Sequence, residues 1–319
     1  MVEPQPYRSP WPHVGAIVTV LATLPLLFLG AEVTTKQVGM ADPVWPTVPW
    51  YLFGITWVDQ GVGFLIEHGH RLAGYTVGVC AILLVLALWR WEERSWVRRL
   101  GVVALLGIIT QGLLGGFRVR LNALMGPDLA LIHGCFGQMV FATLVSLAVV
   151  TSRRWQSFES TRGANDGASD PALRRATLVL VALIVGQLVL GAILRHKGGP
   201  LGQRGHLLTA FAVTFAIAWL ARLVWTQHTG DRNLTLAVTI MVGLLGLQLM
   251  LGIEAWMVRF MTTAAFEPGH WLLNRDLVRS LHVLVGSCLL ANAVVAALEA
   301  HRGLATVPAA PALRLEEAV

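Results

Sequence analysis

Eight long apolar runs constrain this chain more than any other feature. They cover about Val14 to Ala31, Leu65 to Leu88, Val97 to Phe117, Leu129 to Val150, Ala176 to Leu194, His206 to Leu223, Leu234 to Met257 and Leu277 to Leu298. A helix of roughly 20 residues crosses about 30 Å of hydrocarbon, and each run is of that order. The runs are continuous rather than alternating, so a closed barrel is excluded and each must satisfy its backbone hydrogen bonds as a helix. Only 13% of the 319 residues are charged, against about 25% in soluble domains. The expected fold is all-α: a polytopic membrane protein with eight transmembrane helices arranged as two pseudo-symmetric four-helix bundles.

The Ser/Gly/Asp/Arg-rich stretch Ser152 to Pro171 divides the chain. It separates an N-terminal bundle (1–152) from a C-terminal one (174–303), with a cytoplasmic linker at 153–173 and a tail at 304–319. The net charge of +6 does not point to nucleic acid, because the Lys and Arg residues sit in short loops between apolar runs. There they set topology. The greater part, including Arg90, Arg94, Arg98, Arg99, Arg153, Arg154, Arg174 and Arg175, falls on the side of the termini, which places both termini in the cytoplasm. The first run follows Arg8 without a small-residue cleavage site, so it is expected to be a retained span. Cys80, Cys135 and Cys288 all lie inside apolar runs and offer no loop disulfide framework. Two longer outer segments, Glu32 to Gly63 and Arg259 to Asp276, carry Trp45, Trp50, Trp57, Phe266 and Trp271, as lids over a cavity or as ordinary interfacial belts.

An internal repeat links the spans. Spans three, five and seven end in Gln111-Gly-Leu-Leu-Gly115, Gln187-Leu-Val-Leu-Gly191 and Gln248-Leu-Met-Leu-Gly252, and span one ends in Leu29-Gly30-Ala31. A cation follows each of these ends: Lys36, Arg118, Arg195 or Arg259. Every even span carries one His near its outer end, namely His70, His133, His206 and His282. One turn deeper on the same helix face stand Gly74, Gly137, Ala210 and Gly286. Small residues there allow close helix packing, and equally they would clear a flat macrocycle.

Two imidazoles from facing helices, without Cys or a carboxylate cluster, suit haem iron better than zinc, which takes three or four converging protein ligands. Pairing within halves gives two iron sites, His70 with His133 and His206 with His282. Haem propionates are anionic, so Arg71, Arg118, Arg195, Arg204, Arg275 and Arg279 on the same face are candidates to neutralise them. Arg71 is assigned to the first pair, Arg204 and Arg279 to the second. His68, His196 and His270 share that face as rivals for ligation, whereas His13, His228 and His301 lie toward the other edge. A colourless bundle whose His residues merely hydrogen-bond is the remaining alternative.

Leu29-Gly30-Ala31-x-Val33-Thr34, then Gly39-Met40-Ala41-Asp42-Pro43-x-Trp45-Pro46, Glu67-x-x-His70-Arg71, the Gln-x-x-Leu-Gly helix ends, and His206 and His282 together resemble the haem A synthases of bacteria and mitochondria. The resemblance covers essentially all eight spans. It implies oxidation of a methyl group of haem O to the formyl group of haem A through hydroxylated intermediates, with haem O as substrate at the first pair and haem b as cofactor at the second. It also implies an integral protein of the bacterial cytoplasmic membrane with its haem sites toward the outer face, a haem O synthase and an electron acceptor as partners, and leaves homo-oligomerisation open.

The residues support unequal halves. Glu67 stands three residues before His70, where the other three His have Ala130, Gln203 and Arg279. Glu67 is therefore the candidate catalytic group, for proton transfer or charge stabilisation, with a salt bridge to Arg71 as its structural alternative. One departure is plain: many bacterial members carry a Cys pair in the first outer loop, and Glu32 to Gly63 has none. A dihaem b-type membrane electron-transfer protein without haem-modifying activity would need all four His but not Glu67.

Overall fold

The structure, a computed structural model, describes residues 9–42, 44, 53–54, 60–156, 170–260 and 274–302, with only the backbone given at 258–260. Trp45, Trp50, Trp57, Phe266, His270, Trp271, the side chain of Arg259, most of the linker and the tail at 304–319 lie outside the described residues.

Among the described residues there are eight long helices and no strand. They are α1 (Trp11–Thr35), α2 (Val62–Trp91), α3 (Ser95–Arg120), α4 (Asn122–Val150), α5 (Pro171–His196), α6 (Gly199–Gln227), α7 (Arg232–Phe260) and α8 (Arg275–Arg302). Each contains one of the expected apolar runs and is long and apolar enough to cross a membrane. Large apolar side chains such as Leu21, Leu83, Leu106, Phe211 and Met250 face outward on these helices. The chain is thus an integral, multi-pass membrane protein. The helices overrun the apolar runs at their outer ends, because a helix satisfies its own backbone bonds and need not stop where the side chains turn polar.

Local sequence explains several ends. Asp170 caps α5 by accepting a hydrogen bond from Ala172 N at 2.8 Å, with Pro171 in the first turn. Gly198 and Gly199 take φ of 69° and 79°, which permits the abrupt reversal from α5 into α6. Near the start of α4, Met125 leaves helical geometry two residues before Pro127, a kink with a proline cause.

In the first half the neighbours are α1 with α2, α2 with α3, α3 with α4, and α4 with α1. In the second they are α5 with α6, α6 with α7, α7 with α8, and α8 with α5. Each half is therefore a ring in which the even helices do not touch but face each other across the middle. Apolar cores close the inner parts of both rings, around Leu84, Leu88, Leu144 and Leu147 in one and Leu180, Ile217, Leu220 and Leu290 in the other. The halves meet through α1 with α8, α4 with α8 and α4 with α5.

Candidate functional site

The ring arrangement aims the four repeat histidines into the two ring centres. His70 of α2 faces His133 of α4 with ring centroids 6.4 Å apart and planes at 79°. His206 of α6 faces His282 of α8 at 6.2 Å and 80°. The pairing expected from the sequence is therefore the one the fold produces, and the two pairs match each other closely.

The Leu-Gly helix ends explain why. A Cβ on Gly30 or Gly191 would come 2.9 Å from Cε1 of His70 or His206. At Gly252 it would stand 3.1 Å from Cε1 of His282, and at Gly115 3.6 Å from Cε1 of His133. Each odd helix thus backs an imidazole with bare backbone. The glycines one turn below the histidines do a different job: Cβ atoms at Gly137 and Gly286 would approach Nε2 of Gln111 and Gln248 to 3.0 and 3.2 Å. Of the two readings open from sequence, helix packing around the motif glutamines is the one these positions fit.

Hydrogen bonds fix the ring orientation. His70 Nδ1 lies 3.1 Å from the Leu26 carbonyl and His206 Nδ1 3.1 Å from the Gln187 carbonyl. A carbonyl only accepts, so Nδ1 carries the proton and Nε2 keeps its lone pair for a metal. Nδ1 of His133 and of His282 is buried and, among the described residues, makes no hydrogen bond of good geometry. Gln111 Nε2 donates to the His133 carbonyl at 3.0 Å, while Gln248 Nε2 lies 3.3 Å from His282 Nε2.

These rings fit an iron held between two imidazoles. With about 2.0 Å per metal–nitrogen bond and about 1.2 Å from nitrogen to ring centre, opposed ligands stand with centroids roughly 6.4 Å apart. Among the described residues no group of three or more His, Cys, Asp or Glu converges as a metal site, so a tetrahedral zinc centre has no ligand set.

Beside the first pair lies a buried charge cluster with no counterpart among the described residues of the second half. Glu67 is 3% exposed, and Asp42 and His68 are fully buried. Glu67 Oε2 accepts from Asp42 N at 2.7 Å, and Oε1 from Arg71 Nη2 at 2.9 Å. Asp42 Oδ2 meets Arg71 Nη1 at 2.8 Å and His68 Nδ1 at 2.9 Å. Arg71 also donates to the carbonyls of Asp42 (2.6 Å) and Val44 (2.9 Å). The cluster clamps the first outer loop onto α2, and Arg71 is committed to that clamp.

His68, a rival ligand by sequence, stands in the clamp rather than at a ring centre. Asp42 was not singled out as a site residue at all; it falls in an irregular loop, where no periodicity marks it. Of the other cations, Arg195 Nη2 donates to Ala31 O at 2.7 Å and to Thr35 Oγ1 at 2.6 Å, joining α5 to α1. Arg204 is exposed and Arg279 half-buried.

Comparison with known proteins follows the same lines. Residues 47–201, which include His70 and His133, match the COX15-CtaA model, described as cytochrome oxidase assembly protein. The heme A synthase of Halalkalibacterium halodurans is 28% identical over 217 residues, 66% of this chain and 58% of the relative. That of Alkalihalophilus pseudofirmus is 26% identical over 202 residues, 61% of this chain and 63% of the relative. The matches thus span about three fifths of the length of these curated relatives. On the family-model match, these relatives and the eight-span fold, the chain resembles the COX15-CtaA family of cytochrome oxidase assembly proteins.

Proposed function

We propose that the protein is a haem A synthase, an oxidoreductase that converts a methyl group of haem O to the formyl group of haem A through hydroxylated intermediates. The observation that carries this reading is the twin set of facing histidines, of which, among the described residues, only the first pair has a buried carboxylate, Glu67, alongside. His70 and His133 would hold the substrate haem, and His206 and His282 a haem b. Iron in the second site supplies electron transfer when bound. The chain's own part is to orient His70 and His206 through their Nδ1 contacts, to keep glycine backbone behind each ring, and to hold Glu67 close to the first pair.

The relatives' name motivates the substrate, and the remaining assignments rest on position. Haem O synthase is the expected supplier. The haem sites lie at the ends of the helices opposite the linker, so the charge bias places them toward the outer face of the bacterial cytoplasmic membrane, with both termini cytoplasmic.

One observation favours a second reading. Both Glu67 oxygens are occupied by Asp42 N and Arg71, as a purely structural carboxylate would be, and a dihaem electron carrier needs no more than that. Co-expression with a haem O synthase, followed by pigment extraction, separates the two. The synthase yields hydroxylated or formyl haem, and Glu67→Gln suppresses it while both pigments stay bound. A carrier leaves haem O unmodified.

A further inference from the structure

The outer-face cations sort by what they touch, and one stands apart. Arg71 is consumed by the clamp and Arg195 by the α1 helix end. Arg118, in the last turn of α3, has no hydrogen-bond or ion-pair partner among the described residues, and its Nε is enclosed. It lies within electrostatic reach of His70, His133 and His196, and of Glu67, which is itself bonded to Arg71. Gly39 of the clamped loop lies directly on it: a Cβ there would fall on the guanidinium nitrogens.

A half-buried guanidinium at the hydrocarbon edge, its Nε enclosed, is costly without an anion. Among the described residues no carboxylate lies within ion-pair distance of Arg118, and Glu67, which attracts it from farther off, has both oxygens bonded by Asp42 N and Arg71. A cation follows every odd-helix end, but at differing distances, and the register of Arg118 is its own. Three residues beyond the motif glycine, where α3 has Arg118, the other odd helices have Val33, Leu194 and Ala255.

We propose that Arg118 is the anchor for a carboxylate of the porphyrin held by His70 and His133, a subsite specific to the first half. The proposal rests on the haem reading of that pair. A guanidinium pairs a carboxylate with two parallel N–H···O bonds, which fixes orientation as well as position. Gly39, held down by the Asp42 clamp, covers the anchor and keeps water from weakening it. Substrate orientation at the first pair is thereby tied to the first outer loop.

The test titrates purified full-length protein, carrying its resident pigment, with iron protoporphyrin and with its dimethyl ester, followed in the Soret band. Wild-type protein binds the free acid tighter than the diester by roughly tenfold, about 1.4 kcal/mol. Arg118→Gln binds both like the diester, and Arg118→Lys recovers part of the preference. Unchanged diester binding shows that the variant is folded; if Arg118→Gln binds neither, Arg118→Lys carries the comparison. Equal wild-type affinities, or a preference that survives in both variants, overturns the anchor and leaves the haem reading standing. If wild-type and His70→Ala respond identically to both porphyrins, the haem reading of the first pair falls, and the anchor with it.

Discussion

Residues that are silent in isolation position the two histidine pairs. A glycine near a helix end is unremarkable, and its repetition at Gly30, Gly115, Gly191 and Gly252 was legible in the sequence while its purpose was not. The ring it backs belongs to another helix, so only the fold reveals the contact. Gly191→Val should strip pigment from the second pair and Gly30→Val from the first, each leaving the other in place, as read by haem extraction from purified protein. Gly78→Val, where nothing lies within 4 Å, is the control and should keep both.

The clamp makes the same point about charge. Glu67 was visible beside His70, but Asp42 was not, because its partners are a full loop away. Asp42→Ala removes a fully buried carboxylate that serves Arg71 and His68 and should destabilise by about 3–5 kcal/mol, measured by thermal unfolding in detergent. A loss within the range of surface substitutions would show that the clamp carries little. The clamp also gives this loop a noncovalent fixation where its sequence, Glu32 to Gly63, has no Cys.

At the scale of elements, the end of α1 is the busiest junction. Gly30 backs His70, Arg195 of α5 bonds Ala31 and Thr35, and Ser280 of α8 donates to Thr35 Oγ1 at 3.1 Å. Just beyond the helix, Lys36 Nζ meets Asp276 of α8 at 2.9 Å. The hydrogen bond from Lys36 to Asp276 raises the ammonium above its ordinary 10.5, against desolvation. A raised lysine stabilises fully below its unfolded value and loses that contribution as pH climbs through the folded one. Asp276→Asn should therefore lower stability slightly, by less than about 1 kcal/mol because the pair is partly solvated. In melts the difference should persist through neutral pH, shrink with salt and vanish under strongly alkaline conditions. Helix existence was the most legible part of this scale, since each apolar run nucleates one span. Helix ends were less so: α4 starts at Asn122 rather than near Leu129 because a short helical turn precedes the kink at Met125.

At the scale of the molecule, the same neighbour relations recur in both halves, yet the loops differ. A two-residue turn joins α5 to α6, whereas a long loop joins α1 to α2 and carries Asp42 and Gly39 over the first pair. Repetition supplies two matched pairs of facing histidines, and the loop adds Asp42 and its clamp beside one of them. The four histidines were legible because the repeat placed them at one depth. The sorting of six arginines was not, since it depends on which guanidinium the loop occupies.

The central claim is that each half holds its own haem iron between two imidazoles. It is tested most directly by pyridine haemochrome analysis and reduced-minus-oxidised spectra of protein purified from cells that make haem O, comparing wild type with His133→Ala and His282→Ala. The account predicts pigment at both pairs in wild type, loss of the haem O-derived pigment alone in His133→Ala, and loss of haem b alone in His282→Ala. A colourless wild-type protein, or a folded single variant that loses both pigments together, would contradict it.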